Sequence, residues 1–124
     1  MARLLVIDDE AMVRRAIVRM LAAGGHDAVE APDATAGLRL WREQGADVVV
    51  TDIALPDMTG FELIGLIRSE GETVPIIAIS GSLVVSDLEL IADRLGIVEL
   101  LAKPFSGDQL LSAVSKALAD NARH

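Results

Sequence analysis

Cysteine and tyrosine are both missing from the 124 residues, and one tryptophan with two phenylalanines brings the aromatics to only 2%. The missing thiols exclude disulfides, thiolate metal sites and cysteine nucleophiles. A core so short of rings must be aliphatic, and 52% of the chain is apolar. Positive charge is scarce as well. Eleven Lys and Arg against 19 Asp and Glu leave a formal net charge of −8. That balance argues against a nucleic-acid-binding surface, because phosphate contacts need clustered cations. No apolar run approaches membrane-spanning length. The opening Met-Ala-Arg and the short apolar strand after it are too brief for a secretory signal and lack a cleavage site. Repeats, linkers and low-complexity tracts are absent. The expectation is one soluble, acidic, cytoplasmic domain over residues 1–124.

What is present is organised around Val48 to Gly60. An apolar run suited to a strand buried on both faces stops at Asp52, and Leu55, Pro56, Asp57 and Gly60 turn the chain towards a helix. Four other short apolar runs predict strands at Leu4–Ile7, Asp27–Ala31, Val74–Ser80 and Val98–Ala102, with the organising strand at Asp47–Asp52. The second is weaker and alternating, as suits a sheet edge.

Helices are predicted between the strands. Val13, Ala16, Ile17, Met20 and Leu21 make an apolar stripe, with Arg14, Arg15 and Arg19 on the wet side and Gly24-Gly25 as the stop. Asp33 is the expected N-cap of the second helix, with Ala34, Gly37, Leu38 and Trp41 inward. Thr59 with Glu62, Ser86 with Glu89 and Ser106 with Gln109 have capping-box spacing for three more. In the third, Phe61, Leu63, Ile64, Leu66 and Ile67 cannot all face one core, and Gly65 weakens the interior. The fourth presents Leu88, Ile91, Ala92 and Leu95 on one face. The fifth presents Leu110, Ala113, Val114, Ala117 and Leu118, and Asp120 to His124 are expected to fray. Five strands alternating with five helices imply an α/β fold with a parallel sheet covered on both faces.

In such a sheet all strand C-termini share one edge, where open α/β folds place their ligands. Asp8 and Asp9 follow the first strand, Asp52 ends the third, Ser80 the fourth, and Lys103 follows the fifth. Three crowded carboxylates repel, so some must protonate, pair or bind a cation. Mg²⁺ suits an all-oxygen site and takes one or two carboxylates plus a phosphate oxygen. With Lys103 as fixed positive charge and Ser80 as hydroxyl donor, the set points to phosphoryl transfer with Asp52 as nucleophile.

Asp8-Asp9, Asp52 with Pro56 and Gly60, Ser80-Gly81 and Lys103-Pro104-Phe105 together resemble the receiver domain of two-component response regulators, over the whole chain. The resemblance implies a flavodoxin-like, doubly wound sheet of order 2-1-3-4-5. It implies that Asp52 accepts a phosphoryl group from a histidine kinase or phosphotransfer protein and later loses it by autodephosphorylation. Asp9 and Asp8 would hold Mg²⁺ with Asp52 and the backbone carbonyl of Ala54. Ser80 and Lys103 would contact the phosphoryl oxygens, and the Lys103-Pro104 bond would be cis, an isomer X-Pro bonds admit. Partner binding, to a downstream target, would change with phosphorylation.

Two positions depart from the family pattern. Leu100 stands where the family usually has an aromatic on the fifth strand, and Ala54 carries no polar side chain two residues after the phosphoacceptor. The loop Gly81-Ser82-Leu83-Val84-Val85 is unusually apolar. With Leu90 and Leu100 it suggests a patch on the fourth helix, fifth strand and fifth helix, suited to a homodimer or a target.

Taken singly, each residue has an ordinary explanation. Asp8 and Asp9 could cap a helix, Asp52 could sit in a turn, Ser80 could end a strand, and Lys103 could be a solvated loop lysine. Their agreement at four strand ends favours the joint explanation. His26 and His124 lack partner spacing and read as surface residues, and Trp41 reads as core. The alternatives are a phosphorylation-independent pseudo-receiver and an aspartate-nucleophile phosphatase of the haloacid dehalogenase type. Against the second, Asp52-Ile53-Ala54 matches neither the place nor the second aspartate of that family's Asp-x-Asp. No Walker or Gly-x-Gly-x-x-Gly motif supports a nucleotide binder.

Overall fold

The computed structural model describes residues 2–81 and 85–122, without the side chains of 85–89, 121 and 122. Leu83, Val84 and His124 therefore lie outside the described residues, as do the side chains of Ser86, Leu88 and Glu89. Among the described residues strands and helices alternate: β1 (Arg3–Ile7), α1 (Ala11–Ala23), β2 (Asp27–Ala31), α2 (Ala34–Gln44), β3 (Val48–Asp52), α3 (Gly60–Ser69), β4 (Ile76–Ser80), α4 (Val85–Leu95), β5 (Ile97–Ala102) and α5 (Gly107–Ala122). All four strand pairings are parallel, and the sheet order is β2-β1-β3-β4-β5.

Alternation along the central strands explains their unbroken apolar runs. Leu4, Val6, Val48, Val50, Ile77 and Ile79 face one way, against Ile17 and Leu21 of α1 and Leu110, Val114 and Ala117 of α5. Leu5, Ile7, Val49 and Ile76 face the other, against Ala34 and Leu38 of α2 and Leu63, Ile64 and Ile67 of α3. A strand sandwiched between two helical layers needs apolar residues at every position. The crowded α3 splits as its composition requires: Leu63, Ile64 and Ile67 are buried while Leu66 is exposed.

Local signals set the element ends. Asp33 accepts from the Ala36 N–H at 2.7 Å and Thr59 Oγ1 from the Glu62 N–H at 3.1 Å. Ser106 and Gln109 bond reciprocally, at 2.8 and 3.1 Å, as a full capping box.

Several expectations need correction. Among the described residues α4 begins at Val85, and the Ser86–Glu89 capping box lies on side chains outside them. Ile91 is exposed while Ala92 is buried, because successive helical residues are about 100° apart and the core takes the arc of Ala92 and Leu95. α5 continues through Asp120 to Ala122 rather than fraying. Trp41 is only partly buried, at the margin of the α2–α3 core. His26 is half-buried, and its Nδ1 accepts from the Ala2 N–H at 3.2 Å. No helix among the described residues is long and apolar enough to cross a membrane.

Candidate functional site

The order β2-β1-β3-β4-β5 makes β1 and β3 neighbours, with their crossovers leaving on opposite faces. Their C-terminal ends therefore open on the crevice where the winding reverses. Asp8 just after β1 and Asp52 at the end of β3 are both buried there, 0% and 4% exposed, whereas Asp9 is exposed. One carboxylate oxygen from each of Asp8, Asp9, Glu10 and Asp52 falls within 4.8 Å of the others. Ser80 is buried at the end of β4. A cleft of about 370 Å³ is lined by Asp9, Glu10, Asp52, Ile53, Ala54, Ser80, Gly81 and Lys103.

Lys103 enters this cluster from the turn after β5. Its N–H donates to the Ser80 carbonyl at 2.9 Å, which extends the β4–β5 ladder by one step. The cis Lys103-Pro104 bond follows. The ammonium donates to Asp52 Oδ2 at 2.8 Å and stands 3.3 Å from Asp8 Oδ2 and 3.5 Å from Glu10 Oε1. Burial pulls its pKa down, but the hydrogen bond to Asp52 and the charges of Asp8 and Asp52 outweigh that and hold it above the ordinary lysine value. Lys103 is therefore a permanent cation.

Asp8 is placed differently. Burial raises its pKa above the carboxylate norm, with Asp52 adding to the rise, against the lowering effects of the Glu10 N–H and Lys103. Its Oδ1 accepts from the Glu10 N–H at 2.9 Å. Its Oδ2 is fully buried and has no hydrogen-bond partner among the described residues, the nearby ammonium notwithstanding. A buried carboxylate oxygen without a hydrogen bond, on a residue clustered with three further carboxylates, fits a hard divalent cation, which prefers oxygen ligands and would supply the missing positive charge. The donor set thus suits Mg²⁺.

The loop after β3 is held tightly on Asp52. Asp52 Oδ1 accepts from the Ala54 N–H at 3.0 Å, the Gly60 N–H donates to the Ile53 carbonyl at 2.7 Å, and Ala54 pairs with Thr59 in an isolated antiparallel bridge. A Cβ on Gly60 would overlap the Asp52 carbonyl oxygen and lie 2.8 Å from the Ile53 Cα, so only glycine fits where α3 begins. Pro56 is exposed on this loop, Gly81 is exposed beside Ser80, and Pro104 is exposed beyond Lys103. Leu100 is half-buried on β5, paired with Ala78, two positions short of the strand's end and outside the cleft lining.

Three contributors escaped the sequence reading. Glu10 joins the carboxylate cluster, and its position directly after Asp8-Asp9 was the available signal. Asp57 reaches from the β3–α3 loop to the start of α2, accepting from the Ala34 N–H at 3.0 Å, the Thr35 N–H at 2.9 Å and Thr35 Oγ1 at 2.6 Å. Arg14, expected in solvent, folds back over the sheet end and donates to the Asp8 carbonyl and to Glu30. Neither of these tertiary contacts has a local spacing to announce it.

A family model described as response regulator receiver domain matches residues 4–115. The chain is 30% identical to the protein PilH of Pseudomonas aeruginosa over 121 residues, covering 96% of this chain and 99% of that protein. It is 34% identical to the transcriptional regulatory protein KdpE of Mycobacterium tuberculosis, covering 98% of this chain and 53% of KdpE. The chain spans 24% of one longer curated relative that it matches and 53% of another. The solved receiver domain of the Francisella response regulator 1452 superimposes with a TM-score of 0.90 at 27% identity, covering 97% of this chain and 98% of that one.

Proposed function

The chain belongs to the response regulator receiver family, and from that premise we propose that it is a signalling switch phosphorylated on Asp52. Receiver domains are signalling modules of two-component systems, and homologous response regulators imply a kinase or phosphotransfer protein as donor. The observation that carries the assignment is the buried Asp52 carboxylate, 2.8 Å from Lys103 Nζ and within the four-carboxylate cluster.

In the proposed reaction an Asp52 oxygen attacks the phosphorus of a phosphohistidine. The P–O bond forms as the P–N bond breaks, and the imidazole nitrogen leaves with the electron pair. Both Asp52 oxygens are occupied at rest, by the Ala54 N–H and by Lys103. Lys103 has the longer and more flexible reach, so it follows the incoming phosphoryl oxygens and stabilises their charge. Ser80, buried at the adjacent strand end, donates its hydroxyl to the same oxygens. Asp8, Asp9, Asp52 and the Ala54 carbonyl would hold Mg²⁺, which when bound would neutralise developing negative charge. Hydrolysis of the acyl phosphate by water then resets the switch. Ala54 offers that water no side-chain hydrogen bond, so slow resetting is expected.

Beside Lys103 an apolar groove lined by Val13, Ala16, Ile17, Met20, Pro104 and Phe105 offers a protein donor a docking surface next to the reacting centre. The face of α4, β5 and α5, with Leu90 and Ile91 exposed, is the proposed surface for a homodimer or a downstream target. Incubation with acetyl phosphate tests the switch. One phosphoryl mass is expected only when Mg²⁺ is present, and wild type without any adduct would overturn the assignment.

A further inference from the structure

Arg14 is the least solvated arginine with a described ion pair near the site: its side chain is 13% exposed although it springs from the first turn of a surface helix. Nη1 donates to the backbone carbonyl of Asp8 at 2.8 Å, and Nε donates to Glu30 Oε1, on edge strand β2, at 3.0 Å. The Asp8 N–H donates to the Ala31 carbonyl at 3.2 Å, and Asp8 Oδ1 accepts from the Glu10 N–H. The turn that presents Asp8 and Asp9 is thus fixed through backbone N–H, backbone C=O and one carboxylate oxygen. Asp8 Oδ2, buried 3.3 Å from Lys103 Nζ, is left without a hydrogen bond among the described residues.

We propose that Arg14, held in place by Glu30, is a positioning residue that sets the Asp8-Asp9 turn for divalent-cation binding. The inference rests on the Mg²⁺ site proposed above. Arg14 binds neither cation nor phosphoryl group in this account; it acts through the Asp8 carbonyl. Mg²⁺ tolerates little departure from octahedral geometry, so a turn free to shift presents its carboxylates less well. The fork of a guanidinium can bond the carbonyl and Glu30 at once, which a lysine ammonium on a flexible stem does less well.

Charge alone predicts the opposite effect, which makes the test sharp. A guanidinium beside the cleft repels a cation, so deleting its charge would tighten Mg²⁺ binding by Coulomb's law, whereas loss of positioning weakens it. The whole chain, without any phosphoryl donor, is titrated with MgCl₂ by calorimetry, and melting in EDTA is followed in parallel to verify folding. Arg14→Gln is expected to weaken Mg²⁺ binding about 10-fold, the lower end for partners that orient metal ligands, and Arg14→Lys to weaken it about threefold. Arg14→Gln binding Mg²⁺ as tightly as wild type, or tighter, overturns the inference. Should Arg14→Gln fail to fold, Arg14→Lys at wild-type affinity overturns it instead. Wild type that binds no Mg²⁺ removes the proposed site itself, an outcome distinct from variants that bind normally.

Discussion

The Lys103 ammonium lies 2.8 Å from Asp52 Oδ2 across a separation of 51 residues. The same nitrogen is 3.3 Å from Asp8 Oδ2. One partly buried cation therefore faces two buried carboxylates, with Asp9 and Glu10 close behind. The pocket carries an excess of negative charge that no described side chain relieves. That excess is costly to the fold and useful to a cation.

Asp8→Asn should convert this cost into stability. A carboxyl whose folded pKa lies above its unfolded value makes the folded state the stronger proton binder, so its unfavourable contribution grows as pH rises from 3.8 through the folded pKa. Denaturation in EDTA at neutral pH should show the variant more stable than wild type. Mg²⁺ at about 100 times its Kd should add about 2.7 kcal/mol to wild type and far less to the variant. A destabilised Asp8→Asn protein that still gains fully from Mg²⁺ would contradict the electrostatic account.

Two glycines of α3 predict opposite results for the same substitution. Gly60→Ala drives a methyl into the backbone of Asp52 and Ile53, which cannot yield as a side chain can, and should cost about 3 kcal/mol. Gly65 has nothing within 4 Å of an added Cβ and sits inside the helix. Gly65→Ala should stabilise by about 0.5–1 kcal/mol. Urea midpoints measure both, and equal shifts would refute the packing argument.

Asp57 makes the junction of α2 with the β3–α3 loop sensitive to acid. The Thr35 hydroxyl, opposed by desolvation and joined by the Thr35 and Ala34 N–H groups, lowers its pKa from 3.8 to about 2. A depressed carboxyl pKa gives stability that is present above pH 3.8 and lost as pH falls towards about 2. Because the group is exposed, the effect on overall stability is small, and the shape of the acid transition is the better readout. Asp57→Asn should remove part of the stability slope between these two values in an acid titration followed by circular dichroism. An unchanged slope would mean that the junction contributes nothing.

Leu90 is 58% exposed on α4 beside the exposed Ile91. If the α4–β5–α5 face joins two copies, sedimentation should show dimer formation with a phosphoryl mimic, and Leu90→Glu should abolish it. A wild-type monomer in both states would exclude the homodimer.

What the sequence made legible follows the range of each interaction. β3 was readable because a strand covered on both faces must be apolar throughout, so its stop at Asp52 stands out. Asp33, Thr59 and Ser106 were readable because a cap reaches only three residues along the chain. The parallel sheet then carried Asp8, Asp9, Asp52, Ser80 and Lys103 to one edge as a matter of topology. Arg14, Glu30 and Asp57 were not readable in these roles, because their partners lie 6, 16, 22 or 23 residues away and are chosen by packing. Ile91 misled because a helical stripe gives the face but not the width of the core it meets.

Of the four neighbouring carboxylates, Asp52 is the one proposed to become phosphorylated. Reducing the acetyl phosphate-treated protein with borohydride converts an aspartyl phosphate to homoserine, which peptide mass mapping locates. Homoserine at position 52, dependent on Mg²⁺ and lost in Asp52→Asn, is the predicted result. Homoserine at Asp8, Asp9 or Glu10 (as its longer homologue), or an adduct that persists in Asp52→Asn, would contradict it.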